Sequence, residues 1–143
     1  MIREATKEDI PEIIDMVKSM LVDLNEPWSE ACVVNTIAKS LALAPCFLYT
    51  KNDKIIAMAG LSLRFQPFTG QAALTDYGFY TRPRHRSWSV YGGLIDKCKE
   101  YAEKVNLPLQ LNFAADKPVD FAQRLAKRKD LKIVYVTGEY NGR

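Results

Sequence analysis

"TRPRHRSWSVYGGLIDKC", residues 81–98, places three arginines and the only histidine of the chain within five positions, 82–86. Ser87 and Trp88 follow. An amphipathic helix is then expected from about Ser89 to Val105, with Val90, Leu94, Cys98, Tyr101 and Ala102 on its inner face. The start of a helix exposes unpaired backbone N–H groups and the positive end of the helix dipole, so it attracts anions. Arginines beside it add charge-assisted hydrogen bonds. Arg82, Arg84, His85 and Arg86 therefore stand where a phosphate cradle needs them. The Gly92-Gly93 pair, one turn further on, reads as close packing of this helix on a sheet.

Upstream of this stretch, residues 2–5 form a short strand, and Thr6 or Asp9 caps a first helix. Ile10, Ile13, Ile14, Val17, Leu21 and Leu24 recur at helical spacing. Pro27 interrupts the chain, and Ser29 caps a second helix with Val33, Val34, Ile37 and Leu41 turned inward. After Pro45 the period changes. "CFLYT" (46–50), "IIAMAGLSLRF" (55–65) and "AALTDYGFY" (72–80) are strands, joined by the turn "KNDK" and the loop "QPFTGQ", and they form an antiparallel meander. Downstream of the helix, "PLQLNF" (108–113) is a strand that a crossover sets parallel to its neighbour. "PVDFAQRLAKRKD" (118–130) is a last helix and "LKIVYVTGEY" (131–140) a last strand. The order is β-α-α-β-β-β-α-β-α-β. The fold class is α+β, a mixed, mostly antiparallel twisted sheet flanked by helices, in one domain spanning residues 1–143.

Composition fits that reading. The chain has 143 residues, 48% of them hydrophobic and 26% charged, which is ordinary for a soluble globular domain. Twenty cations against seventeen anions give a net charge of +3, too modest by itself to imply nucleic acid. Cys32, Cys46 and Cys98 are an odd set without a CxxC spacing, and they read as buried thiols in a reducing compartment. One histidine and dispersed cysteines make no recognisable metal site. No apolar run is long enough to span a membrane, and the start of the chain has no signal-peptide pattern, so a cytoplasmic location is expected.

The order and motif placement resemble the GCN5-related N-acetyltransferase (GNAT) superfamily over essentially the whole chain. "IREATKEDIPEIIDMV" is similar to that family's first strand and helix, and "KNDKIIAMAGLSL" to its second hairpin. The family carries Arg/Gln-x-x-Gly-x-Gly/Ala between its fourth strand and third helix. Here Pro83 fits the preceding proline, Arg86 the first signature position and Leu94 the following leucine. Ser89 and Tyr91 stand in place of the two glycines. The resemblance implies acetyl-coenzyme A as co-substrate and an unidentified amine as acceptor. It implies cofactor contacts from Phe79, Tyr80, Thr81, Arg84, Arg86, Ser87, Trp88, Ser89, Val90 and Tyr91, with Tyr91 limiting access. Asp76 is the only acid on the strand before the signature and is the candidate base, directly or through water. Asn112 and Asp116 follow the neighbouring strand, where the sheet of that family splays, and either is a candidate to orient a water or the amine. The family's tyrosine on the fourth helix maps to Gln123 or Ala126, which cannot protonate a thiolate, while Tyr135 and Tyr140 read as packing residues. The residues 24–29 and the loop "FQPFTGQ" would border the acceptor. They are apolar through Trp28, Phe65, Pro67 and Phe68, with few acids beyond Glu26 and Glu30, which disfavours a polycationic acceptor.

Two other readings stay open at this point. A domain of this fold that binds without catalysing is consistent with the replaced glycines and the missing tyrosine. A nucleic-acid binder would use the 82–86 run, "RLAKRK" and a stacking Trp88 or Tyr91; the near-balance of charge, and the preference of cations for a helix C-terminus, speak against it. No membrane partner is expected, and a homodimer is left open.

Overall fold

Asp9 ties the first strand to the first helix. Its carboxylate accepts from the Thr6 amide at 2.8 Å and takes both Arg3 Nη groups, at 2.8 and 2.9 Å. The Arg3 guanidinium holds its pKa down at about 2. Strand β1 (Ile2–Glu4) thus runs through a single 3-10 turn into α1 (Ile10–Asp23), where Pro11 occupies a first-turn position that has no N–H partner to lose. The computed structural model describes residues 1–112 together with 124, 127 and 128. The remaining described elements are α2 (Glu30–Leu43), β2 (Cys46–Lys51), β3 (Lys54–Phe65), β4 (Ala72–Thr81), a 3-10 turn (Pro83–His85), α3 (Trp88–Val105) and β5 (Leu109–Gln110). Met1–Asn112 forms one compact unit. Arg124, Lys127 and Arg128 are helical, within the helix expected over 118–130; the last expected strand lies outside the described residues.

The sheet order is β1-β2-β3-β4-β5, antiparallel except that β5 runs parallel to β4. The expected meander and parallel return are both present, so the chain is α+β with a mixed sheet. The β2–β3 turn is made by Asn52 and Asp53, both at positive φ (52° and 60°), the two-residue hairpin geometry that short polar side chains tolerate. Residues 55–61 are all buried because helices cover both faces of β3. That explains a continuous apolar run in an antiparallel strand, where alternation is the rule. On one face α1 and α2 set Ile13, Met16, Val17, Val33 and Ile37 against Leu48, Ile55, Met58 and Tyr80. On the other, α3 sets Val90, Leu94, Cys98 and Ala102 against Phe47, Ala57, Ala59, Leu61 and Leu74. A Cβ on Gly93 would meet Ile2 Cδ1 at 3.2 Å, which fits the expected close packing of α3 on the sheet.

Three local expectations are corrected. Helix α3 begins at Trp88, one residue early, because Ser87 is the cap: its Oγ accepts from the Val90 amide at 3.3 Å. Val34 is exposed, since Val33 and Ile37 define the inward line of α2 and Val34 lies about 100° away from it. Cys32 is exposed for the same reason, on the other side of Val33, whereas Cys46 and Cys98 are buried and burial pushes both thiols up to about 12.

The feature that shapes the site is an irregularity between β3 and β4. Gly60 pairs with Gly78 but Leu61 pairs with Asp76, so Tyr77 is an extra residue on β4. The alternation confirms it. Leu74 and Phe79, five residues apart, both face α3, while Tyr77 and Tyr80, three apart, both face α1 and α2. The Tyr77 ring lies across Gly60, where a Cβ would overlap it. Its hydroxyl is buried with the Cys46 thiol, a weak sulfur partner, as its polar neighbour. Gly60→Ala should therefore cost about 1–3 kcal/mol in denaturant unfolding, as overpacking does. Tyr77→Phe should be neutral or stabilising, because it removes a buried hydroxyl with only a weak sulfur partner. Equal stability of Gly60→Ala and wild type would show that the ring can move aside freely.

Candidate functional site

Strands β4 and β5 stay together for only two residue pairs, Leu74↔Leu109 and Thr75↔Gln110. Beyond Thr75, no strand pairs with that edge of β4 among the described residues. Among the described residues the pairing ends at Asp76, next to the bulge, and the notch so left is bounded on one side by β4. Asn112 sits at its apex. The Asn112 amide donates to Asp76 Oδ1 at 2.7 Å, and Asn112 Nδ2 donates to the same oxygen at 3.3 Å and to Thr75 Oγ1 at 3.1 Å. Two expected residues, Asp76 and Asn112, are thus brought into direct contact; Asp116 lies outside the described residues. Burial raises the Asp76 pKa to about 6, and the Asn112 bonds oppose that rise without cancelling it. A carboxylate titrating near 6 can accept a proton at neutral pH and give it up again.

At the other end of β4 the chain turns through Arg82–Arg86 into α3. The four basic residues divide by role. Arg82 donates to the Ile55 carbonyl (Nε, 3.0 Å) and to Glu12 (Nη2, 3.0 Å). Arg86 donates to the Thr81 carbonyl (Nε, 3.1 Å) and to Asp23 (Nη2, 3.2 Å), and lies 5.8 Å over the Tyr80 ring. Arg84 is exposed and makes no ion pair among the described residues. His85 is half-buried, and its amide donates to the Arg82 carbonyl at 2.9 Å. Arg82 and Arg86 therefore clip opposite ends of α1 to this loop. Both ion pairs are a third to a half exposed, so each contributes about 0–1 kcal/mol.

The remaining expected cofactor residues line β4 and the first turn of α3. Ser87 is the helix cap, Ser89 is exposed, Trp88 is partly exposed, and Val90 is core. Thr81 is 1% exposed and its hydroxyl has no partner, an orphaned polar atom at the end of β4. The Tyr80 hydroxyl donates to Asp23 Oδ2 at 3.2 Å. Tyr91 stacks on Phe79 with ring centroids 5.8 Å apart and planes 9° apart. The ring expected to limit access is folded onto β4.

On the opposite face, an open groove of about 370 Å³ lies between α1, α2 and β4. Met20, Leu21, Trp28, Val33 and Tyr77 line it, with Ser29, Thr36 and the free thiol of Cys32. Lys18 sits 5.1 Å over the Trp28 ring and pairs with Glu30 at its margin. Phe65 and Phe68, expected near the acceptor, are exposed on the β3–β4 hairpin and do not line this groove.

No protein-family model matches the chain, and no curated protein matches it. Solved structures do. A predicted acetyltransferase from Clostridium acetobutylicum, solved with acetyl-CoA, superposes with a TM-score of 0.78 at 20% identity, covering 99% of this chain and 95% of that one. A ribosomal-protein-alanine N-acetyltransferase from Brucella melitensis gives 0.70 at 18% identity, and an aminoglycoside 6'-N-acetyltransferase from Acinetobacter haemolyticus gives 0.67 at 20%, each over 99% of both chains. The chain has the GCN5-related N-acetyltransferase fold. At these identities the GNAT fold is what the likeness carries, and the site has to be argued from its own residues.

Sequence reasoning reached Asp76 and Asn112 but not Asp23, which meets Arg86 and Tyr80 from 57 to 63 residues away. It also missed the Tyr77 bulge. The only local hint was glycine on both strands, at 60 and 78.

The elevated pKa of Asp76 has a consequence for stability. Between the ordinary carboxylate pKa of about 4 and about 6, the folded protein retains a proton that the unfolded chain has released, so stability falls as pH rises through that window. The fall should be on the order of 2 kcal/mol for the unbuffered group. Asp76→Asn should abolish it, and at pH 7.5 should melt no lower than wild type. Thermal melts of both proteins from pH 4 to 8 measure this, and parallel curves would refute the assignment.

Proposed function

We propose that the protein is an acyl-coenzyme A-dependent N-acyltransferase that moves an acetyl group from acetyl-coenzyme A to an amine. The observation that carries this reading is the notch between β4 and β5, opening at Asp76 and leading to the basic, Ser87-capped start of α3. The acetyltransferase fold of the chain supports it. The start of α3 suits a pyrophosphate, through its first-turn amides, Arg84 and Arg86. The edge of β4 beyond Thr75, which no strand pairs with among the described residues, and the unpartnered Thr81 hydroxyl suit the polar pantetheine arm. Phe79 and Tyr91 form an apolar wall beside it.

The amine nitrogen attacks the thioester carbonyl, the C–S bond breaks, and the thiolate leaves. Asp76 accepts the proton that the amine loses, and Asn112 holds its carboxylate in place. A thiolate with an ordinary pKa of about 8.5 can take its proton from water, so no dedicated acid is required. An acceptor held in the groove between α1, α2 and β4 has to reach Asp76 past the Tyr77 bulge, because Asp76 itself does not line that groove. Its apolar lining favours an amine on an apolar or aromatic body over a polycation.

A second reading, a binding module of the same fold, is favoured by Ser89 and Tyr91 in place of glycines. The two readings separate in one series of measurements. Acetyl-coenzyme A should raise the melting temperature and bind in a calorimeter, and Arg86→Ala should weaken binding by about 1.5–3 kcal/mol if it reaches a phosphate. With a panel of small amines and peptides, Asp76→Asn should lower turnover about 10²–10⁴-fold at unchanged cofactor affinity. Binding without turnover in the wild type favours the module. Equal turnover in wild type and variant removes Asp76 and leaves a water held by Asn112 or Asp116 as the next candidate base.

A further inference from the structure

The anion that Arg86 holds in the free protein is a carboxylate of its own chain. Asp23 is the last residue of α1, and its Oδ2 receives both Arg86 Nη2 and the Tyr80 hydroxyl, each at 3.2 Å. We propose that Asp23 is an internal competitor for phosphate at Arg86, occupying that guanidinium until the cofactor takes it. This rests on the reading of the α3 start as the phosphate site.

Three observations carry it. First, the pair is exchangeable: the side chains are 40% and 45% exposed, so water and other anions reach them. Second, Arg86 has a pivot. Its Nε stays on the Thr81 carbonyl at 3.1 Å, which leaves the Nη groups free to turn from one anion to another without releasing the loop. A phosphate offers more charge and more acceptor oxygens than one carboxylate oxygen already shared with Tyr80. Third, the contrast with Arg82 is internal to the same loop. Arg82 pairs with Glu12 at similar exposure, but four residues further from the helix start, and both its backbone amide and Nε are fixed on β3. Only the Arg86 clip adjoins the Ser87 cap. When phosphate takes Arg86, α1 loses one of its two ties to the loop and Asp23 keeps only Tyr80 of β4; Met20 and Leu21 near that end line the groove between α1, α2 and β4.

The test is a set of calorimetric titrations with coenzyme A. Asp23→Asn, or Asp23→Ser as a second variant, should bind about 2–5-fold more tightly than wild type, the worth of a half-exposed pair. Glu12→Gln removes the same charge from the other end of α1 and should leave affinity unchanged. In an Arg86→Ala background the gain from Asp23→Asn should vanish. Wild-type binding that Asp23→Asn and Asp23→Ser fail to tighten overturns the competitor while leaving the phosphate site standing. A gain that persists without Arg86, or that Glu12→Gln reproduces, overturns it as a general charge effect. No binding by any variant at millimolar coenzyme A overturns the phosphate site, and the competitor with it.

Discussion

Gly60 has no Cβ, and the Tyr77 ring occupies the space where one would lie. That accommodation lets β4 carry one residue more than β3 at this level, and the bulge follows. A regular strand would put Leu74 and Phe79 on opposite faces, because five is odd. With Tyr77 inserted, both reach the α3 face, next to the point where β5 leaves the strand. The end of β4–β5 pairing among the described residues and the place of Asp76 against Asn112 both lie beside this single extra residue. Bulges re-aim side chains and end pairing; here one re-aims side chains beside the point where pairing ends.

The polar groups along β4 are costly compared with those on the surface. Asp76 is buried enough to titrate near 6, Thr81 buries a hydroxyl without a partner and Tyr77 one with only the Cys46 thiol beside it, and all three lie on one strand within six residues. Elsewhere polar groups are paired or half-exposed, as at Arg3–Asp9 and Arg82–Glu12. Unpaired buried polar atoms cost about 1–3 kcal/mol each. A strand that concentrates them is built at a cost to stability, and perturbed carboxylates gather at functional sites.

The order of elements was legible because each depends on a local period. Ile13, Val17, Val33 and Ile37 announce helices, and the continuous run at 55–61 announces a strand covered on both faces. Asp76 was legible as the one acid in an apolar strand. What could not be read is whatever depends on a partner distant in sequence. Val34 and Cys32 are apolar or small residues beside an inward line, and only the packed helix shows that they fall outside it. The bulge adds no unusual residue type: Tyr77 looks like any other aromatic of a strand.

The basic run at 82–86 is the clearest case. Read locally, three arginines and a histidine within five positions at the mouth of a helix are one phosphate cradle. In the fold they are divided by geometry. Residues 82 and 86 fall on the side of the loop that meets α1, so Glu12 and Asp23 claim them, and position 84 points away into solvent. Local charge density therefore overstates the field available to a ligand, because acids from another element neutralise part of it. The acids responsible, Glu12 and Asp23, look like solvated helix positions when read alone. Their spacing of eleven residues is about three helical turns, which places both on one side of α1. A basic loop facing that side meets both. The same spacing that closes the loop onto α1 leaves Arg86 as the cation shared between the protein's own carboxylate and an incoming anion.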